Sequence, residues 1–386
     1  ASGAQLQASG QIDLTSGAPR LEVRGQWHDF RWPLADPAAP VHSAVGSYSL
    51  IGLRPYALAI NAAVQLFDQP PAQLQASGAL AHDRLEIVTA TVAAYGGEAQ
   101  LRGEVGWSPA ERWSLLGSMR GMNIATLRPA IPGHLNFRVS ASGRGFGHGS
   151  SLQAAFTDLS GTVRGRHASG RAAIALADDA WLLQQVQLQL GATRLEADGR
   201  IGERADLHFA IDAPDLSLLN DDAHGRLSAA GYLRGDARNP VLQAQVNGAD
   251  LAYGEWRLQE LSADVDFDPR SSGHADARVQ LGALQYGSRV VDQLRFTAAG
   301  TTAAHRFALQ ISAPPYAAQA GGTASFADGR WHAELSEFKA GDGAELRLSL
   351  VAPAQVIATL SGDELRLERL CLHDAQSMLC AGGTRF

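Results

Sequence analysis

The sequence predicts an all-β fold, an elongated antiparallel meander whose sheet is oily on one side and wet on the other. Three features carry that expectation. Apolar and polar residues alternate with period two along the chain, turn signals recur at intervals of roughly ten residues, and almost no long segment has helical periodicity. The composition fits many short strands and turns, with 41 glycines, abundant Ala, Leu, Gln and Ser, and 18% charged residues.

The alternation is clearest in the second half. Leu188 and Leu190 precede a turn near Gly191, after which Leu195, Ala197, Gly199 and Ile201 share one face while Arg194, Glu196, Asp198 and Arg200 share the other. The same grammar follows in Leu207, Phe209 and Ile211, in Leu227, Ala229, Gly231 and Leu233, and in Leu242, Ala244 and Val246. It returns in Phe307, Leu309 and Ile311, in Leu346, Leu348 and Leu350, and in Val356, Ala358 and Leu360.

Turns are expected at Asn239-Pro240, Asn247-Gly248, Tyr253-Gly254, Asp268-Pro269, Ala327-Asp328-Gly329 and Gly341-Asp342-Gly343. A loose phrase also repeats, as in Leu6-Gln7-Ala8-Ser9-Gly10, Leu74-Gln75-Ala76-Ser77-Gly78 and Leu195-Glu196-Ala197-Asp198-Gly199. Repeats of this kind build an object whose parts touch mainly their neighbours. Residues 1–386 accordingly read as one continuous elongated β-groove, weakly subdivided near 146–160. Two segments, Asn123–Pro129 and Pro214–Asn220, break the β pattern, and each is expected to make a single turn that plugs or gates the concave face.

An apolar sheet face must be covered, and helices to cover it are missing. A sandwich, a closed barrel, a self-packed solenoid or an open trough remain. Side-chain size favours the trough, because aromatics make up only 7% of the chain and the inward positions are mostly aliphatic or small. Such a lining suits an acyl chain. At about 0.8 kcal/mol per buried CH₂, a tail of roughly 16 carbons gains on the order of 10 kcal/mol before its ordering entropy. With about 14 residues per strand and turn and about 4.8 Å between strands, the groove is expected to run on the order of 130 Å.

The other function classes find little support. The net charge is −7 and lysine is nearly absent, with arginines scattered, so nucleic acid is not an expected partner. No apolar run is long enough to span a bilayer and no signal peptide is evident; the abrupt start at Ala1-Ser2-Gly3 reads as a portion of something longer. The twelve histidines are dispersed without HExxH, GxSxG or Walker spacing, so no catalytic residue, cofactor or enzyme activity is expected.

Gly143-Arg144-Gly145-Phe146-Gly147-His148-Gly149 lacks the lysine of a phosphate loop and reads as a flexible loop. Asp178-Asp179 and Asp221-Asp222 read as solvated turns, His305 as structural, and Trp107, Trp113, Trp181, Trp256 and Trp331 as strand-end packing. Cys371 and Cys380, the only cysteines, suit a disulfide across a hairpin in an oxidising compartment; two small buried core residues are the alternative. A metal site has only His373 and Asp374 to add to them, and none is expected.

Several segments resemble a known family. They are Gly161-Thr162-Val163-Arg164-Gly165, the stretch from Ala180 to Pro240 with Gly225-Arg226-Leu227 and Gly231-Tyr232-Leu233-Arg234-Gly235, and the Gly300 to His305 turn. Gly329-Arg330-Trp331 and the closing Leu370-Cys371-Leu372 and Leu379-Cys380-Ala381-Gly382 complete the set. Over most of its length, most strongly from about Gly161 onward, the chain resembles the TamB family, inner-membrane components of the translocation and assembly module within the AsmA-like group of bridge-like lipid carriers. The resemblance implies a β-taco, with strands bent into a U around a hydrophobic interior. It also implies movement of phospholipid across the periplasm between inner and outer membranes of a Gram-negative bacterium, and cooperation with the outer-membrane protein TamA.

The family's N-terminal transmembrane helix and its C-terminal region associated with TamA are not in this sequence. Contact with TamA is therefore expected through regions outside this segment, and inner-membrane anchoring belongs to the full-length protein. A rival reading is a scaffold that pairs its edge strand with TamA or with client strands. The expected groove lining is Leu188, Leu190, Leu195, Ile201, Leu207, Phe209, Ile211, Leu227, Leu233, Leu242, Val246, Phe307, Leu309, Ile311, Leu346, Leu348, Leu350, Val356 and Leu360.

Overall fold

A computed structural model describes residues 3–15, 18–32, 41–66, 69–107, 111–145, 149–236, 239–270, 272–327, 329–342, 347–359, 365–375 and 377–385. Among these residues there are 26 strands and no α-helix. The chain divides into two units, Ala1–Gly191 and Ala192–Phe386. Each is an antiparallel meander in which a strand pairs with the next along the chain, twelve strands in the first unit and fourteen in the second. That is what period-two sequence with short turns dictates, since antiparallel neighbours need only a tight connection.

One strand position in the second unit is shared. Arg330–Gly341 pairs with Arg347–Leu350 near one end and with Ala354–Thr359 near the other, and both of these pair in turn with Leu365–His373. The break between the two short strands falls at Val351–Pro353, where a proline cannot donate to the ladder.

Curvature has an identifiable source. Asp29, Asp158, Gln185, Asp250 and Ala283 lie inside strands yet adopt φ of 49–56°. Three of the five are aspartates, which tolerate the left-handed region better than most residues. Each sits at or past the midpoint of its strand. Strands two apart in a meander run the same way, so these distortions fall on one flank of each sheet and bend it.

The two non-β segments form single 3-10 turns, Ile124–Thr126 and Leu216–Leu218, each capped by the side chain of the preceding residue, Asn123 or Asp215. The Asn247-Gly248 turn expected from the sequence is not formed. Both residues lie inside the strand Val241–Tyr253, paired with Ser262 and Leu261. Packing overrides the turn propensity there: a Cβ on Gly248 would stand 2.7 Å from Leu251 Cδ1 and 3.3 Å from Leu261 Cβ.

Candidate functional site

The registers place one residue type behind another from strand to strand. In the first unit, Gly10, Val23, Leu50, Leu58, Gly78, Ile87, Gly103, Leu115, Ala141, Ala154, Ile174 and Leu183 are successive partners, so an unbroken apolar row crosses all twelve strands. On the opposite face Gln7, Gln26, Ser47, Asn61, Gln75, Thr91, Gln100, Ser118, Arg138 and Thr157 form a row without one apolar member. A one-residue slip in any strand would exchange its two faces, so this segregation is what fixes the register.

The second unit repeats the arrangement. Leu195, Ile211, Ala229, Val246, Ala263, Val279, Phe296, Leu309, Ala320 and Phe338 are successive partners. Beside them runs Leu227, Gly248, Leu261, Leu281, Leu294, Ile311, Ala318, Ala340 and Leu348. The reverse face carries Arg194, Asp212, Ser228, Asn247, Ser262, Gln280, Arg295, Gln310, Gln319 and Lys339. The Leu195-to-Phe338 row spans nine inter-strand steps, on the order of 43 Å at ~4.8 Å each.

Of the expected lining residues, Leu195, Leu207, Phe209, Ile211, Leu227, Leu233, Leu242, Val246, Phe307, Leu309, Ile311, Leu348, Leu350 and Val356 share the apolar face of the second unit. Ile201 closes its strand at 42% exposure. Leu188 and Leu190 belong to the first unit, opposite Gly170 and Ala168. Leu346 and Leu360 lie outside the described residues. Apart from Leu188 and Leu190, the matching face of the first unit gives little sequence signal, because glycine and alanine fill much of it. The alternation of Val23, Gly25 and Trp27, or of Leu58 and Ile60, was the available signal.

The two faces differ in exposure: residues of the apolar rows are mostly half-buried and those of the reverse face mostly exposed. The chain exposes 23932 Å², whereas two compact bodies sharing its 40.8 kDa would expose about 17,600 Å² together.

One region is filled. Phe307, Ala324, Ala333, Leu335 and Ala354 are buried together, with Phe296, Trp331, Phe338 and Val356 packed against them. The Phe307 ring meets Trp331 edge-on at 5.0 Å. Nearby, Phe267 and Phe326 meet at 5.2 Å although three strands intervene between theirs, so the sheet closes over itself at this end of its strands. Thr302, fully buried, ties that closure. Its hydroxyl donates to Asp268 O, its amide to Gly273 O at 2.9 Å, and its carbonyl accepts from Phe326 N at 2.8 Å. The Arg270 guanidinium holds the Asp268 carboxyl below the usual carboxylate range, against the opposing effect of burial.

Other expectations resolve locally. His305 receives the Trp331 indole N–H at Nε2 (2.8 Å) and its Nδ1 faces Thr301 O at 3.1 Å, a structural pairing. Asp178 and Asp179 form a turn with φ of 51° and 56°. Trp107 lies just past its strand, bonded to His82 O, while Trp113, Trp181, Trp256 and Trp331 sit at the first or second position of theirs. Of the glycine-rich segment, Gly143 and Arg144 end a strand, and Phe146 to His148 lie outside the described residues. No group of three or more metal-ligating side chains occurs among the described residues. Cys371 and Cys380 are directly opposite in the final hairpin and disulfide-bonded, with Cα atoms 4.1 Å apart. No helix among the described residues is long and apolar enough to cross a membrane.

Comparison with known proteins points to one family. The family described as "TamB, N-terminal domain" matches residues 2–384. The Translocation and assembly module subunit TamB of Haemophilus influenzae is 22% identical over 224 residues, which is 58% of this chain and 17% of that protein. The chain thus spans under a fifth of the length of that relative. No solved structure matches the chain.

Proposed function

The chain belongs to the TamB family, and from that membership and its segregated faces we propose that it is a hydrophobic conduit that carries phospholipid acyl chains across the periplasm. It works within the translocation and assembly module, the role printed in the name of its Haemophilus relative. The observation that carries this reading is the unbroken apolar row, from Gly10 to Leu183 in one unit and from Leu195 to Phe338 in the other. A globular protein buries such a face fully behind a second layer, and here most residues of the row are only half-buried.

Because each strand repeats the same aliphatic and small lining, a bound tail meets nearly the same environment after each step of ~4.8 Å. Its binding energy changes little along the row, and it slides without falling into a deep well. The polar face keeps the sheet wet and discourages stacking of one sheet on another.

Native mass spectrometry of the gently purified chain tests the proposal. Phospholipid is expected to co-purify, with adduct masses that a delipidating wash removes. Bare protein alone, from a preparation in which control lipoproteins keep their lipid, contradicts it.

A further inference from the structure

At one rim of the first unit, Arg112 begins the strand Arg112–Asn123 and Arg144 ends the strand Gly133–Arg144, and the two are direct cross-strand partners on the polar face. Like charges so placed repel. Some arginines on the sheets pair with carboxylates, as Arg138 does with Asp158 at 3.1 Å and Arg234 with Asp206 at 3.1 Å. No ion pair joins Arg112 or Arg144 to a carboxylate among the described residues, although two stand at the same rim: Glu104, which reaches Arg84 at 3.9 Å, and Glu111, whose Oε2 lies 3.9 Å from where a Cβ on Gly145 would stand.

The two arginines border an open cavity of about 400 Å³ that Ser114, Ser142, Ser151 and Gln153 also line, all able to donate hydrogen bonds, with the Glu104 carboxylate as its one acidic member. Paired planar forks above hydroxyls match the oxygens of a phosphate group, for which arginine is the better-shaped cation. The next residue, Trp113, faces the other way. Its ring lies over Gly143, where a Cβ would come within 2.6 Å of it, and its indole N–H donates to Gly145 O at 3.3 Å. The rim therefore carries a cationic pair on its wet side and an aromatic edge on its oily side, one residue apart.

We propose that Arg112 and Arg144 form a phosphate-binding site at the groove rim, which takes the headgroup phosphate of a lipid whose tail lies on the apolar face, or free phosphate. The headgroup assignment rests on the conduit reading; the anion site does not. The double substitution Arg112→Gln/Arg144→Gln in the full chain tests it against three probes: inorganic phosphate, dihexanoyl phosphatidic acid and the uncharged hexyl maltoside.

Wild type is expected to melt at a higher temperature in phosphate than in chloride of equal ionic strength, and the double variant is expected to lose that difference while folding at least as well in chloride. Its affinity for phosphatidic acid should fall at least about tenfold, with hexyl maltoside binding unchanged. Preference for phosphatidic acid over inorganic phosphate identifies the lipid headgroup, and equal affinity identifies free phosphate. Equal binding of both phosphate probes by wild type and variant overturns the site. Failure of hexyl maltoside to bind wild type, with phosphate still separating the two proteins, refutes the conduit and leaves the site standing.

Discussion

Leu309→Asp is expected to reduce phospholipid capture by the chain about 100-fold while leaving its strand content unchanged. Leu309 stands in the middle of the apolar row, between Phe296 on one neighbouring strand and Ala320 on the other. An acyl chain that passes it would contact a carboxylate. Placing Asp against hydrocarbon costs about 2.5–3.5 kcal/mol, and each 1.4 kcal/mol is a factor of about ten. Because a conduit works in series, one such position blocks the row that contains it. Gln310→Asp is the matched control: Gln310 pairs with Arg295 and Gln319 on the polar face, so a carboxylate there meets water and a guanidinium. The comparison is read as phospholipid retained per mole of protein, with far-ultraviolet circular dichroism to check the sheet.

Phe307→Ala is expected to destabilise the second unit by about 3–5 kcal/mol, the usual range for deleting a buried phenyl ring. Phe307 is 8% exposed, packs edge-on against Trp331, and sits where Ala324, Ala333, Leu335 and Ala354 come together. In this cluster the apolar face is sealed by its own side chains, and it has little slack to collapse into the gap. Hydrogen exchange should show faster amide exchange in His305–Ala313, Tyr316–Ala327 and Arg330–Gly341, with the strands of Ala1–Gly191 unaffected. In a meander whose parts touch mainly their neighbours, damage stays local. Equal loss of protection in both units would show a cooperativity that this fold does not provide.

Much of this was legible in the sequence, and the reason is the period of two. Leu207, Phe209 and Ile211 announce one face of a strand by themselves, and the short turns leave the antiparallel meander as the natural connection. Pairing was not legible, because register depends on partners in the next strand and on residues such as Asp250 and Ala283, whose left-handed conformation shifts where later side chains point. Asn247-Gly248 illustrates the limit. Its turn chemistry is sound, yet Leu251 and Leu261 need the space, and packing prevails.

The Phe307 cluster gathers residues up to 47 positions apart, from Phe307 to Ala354, which no local pattern reveals. Arg112 and Arg144 are 32 positions apart and unremarkable in isolation; only the register sets them side by side. The first unit's face is faint in sequence, beyond Leu188 and Leu190, for a different reason. Gly10, Gly78 and Gly103 occupy inward positions in its row, and glycine carries no hydrophobic signal although it leaves the lining smooth.

The central claim is that the apolar face is occupied by fatty tails and the polar face is not. Photo-crosslinking amino acids placed singly at Leu309 and Gln310, adjacent in sequence and on opposite faces, test it in living cells. Phospholipid adducts at 309 with none at 310 are the predicted result; adducts at neither position, or equally at both, would contradict it.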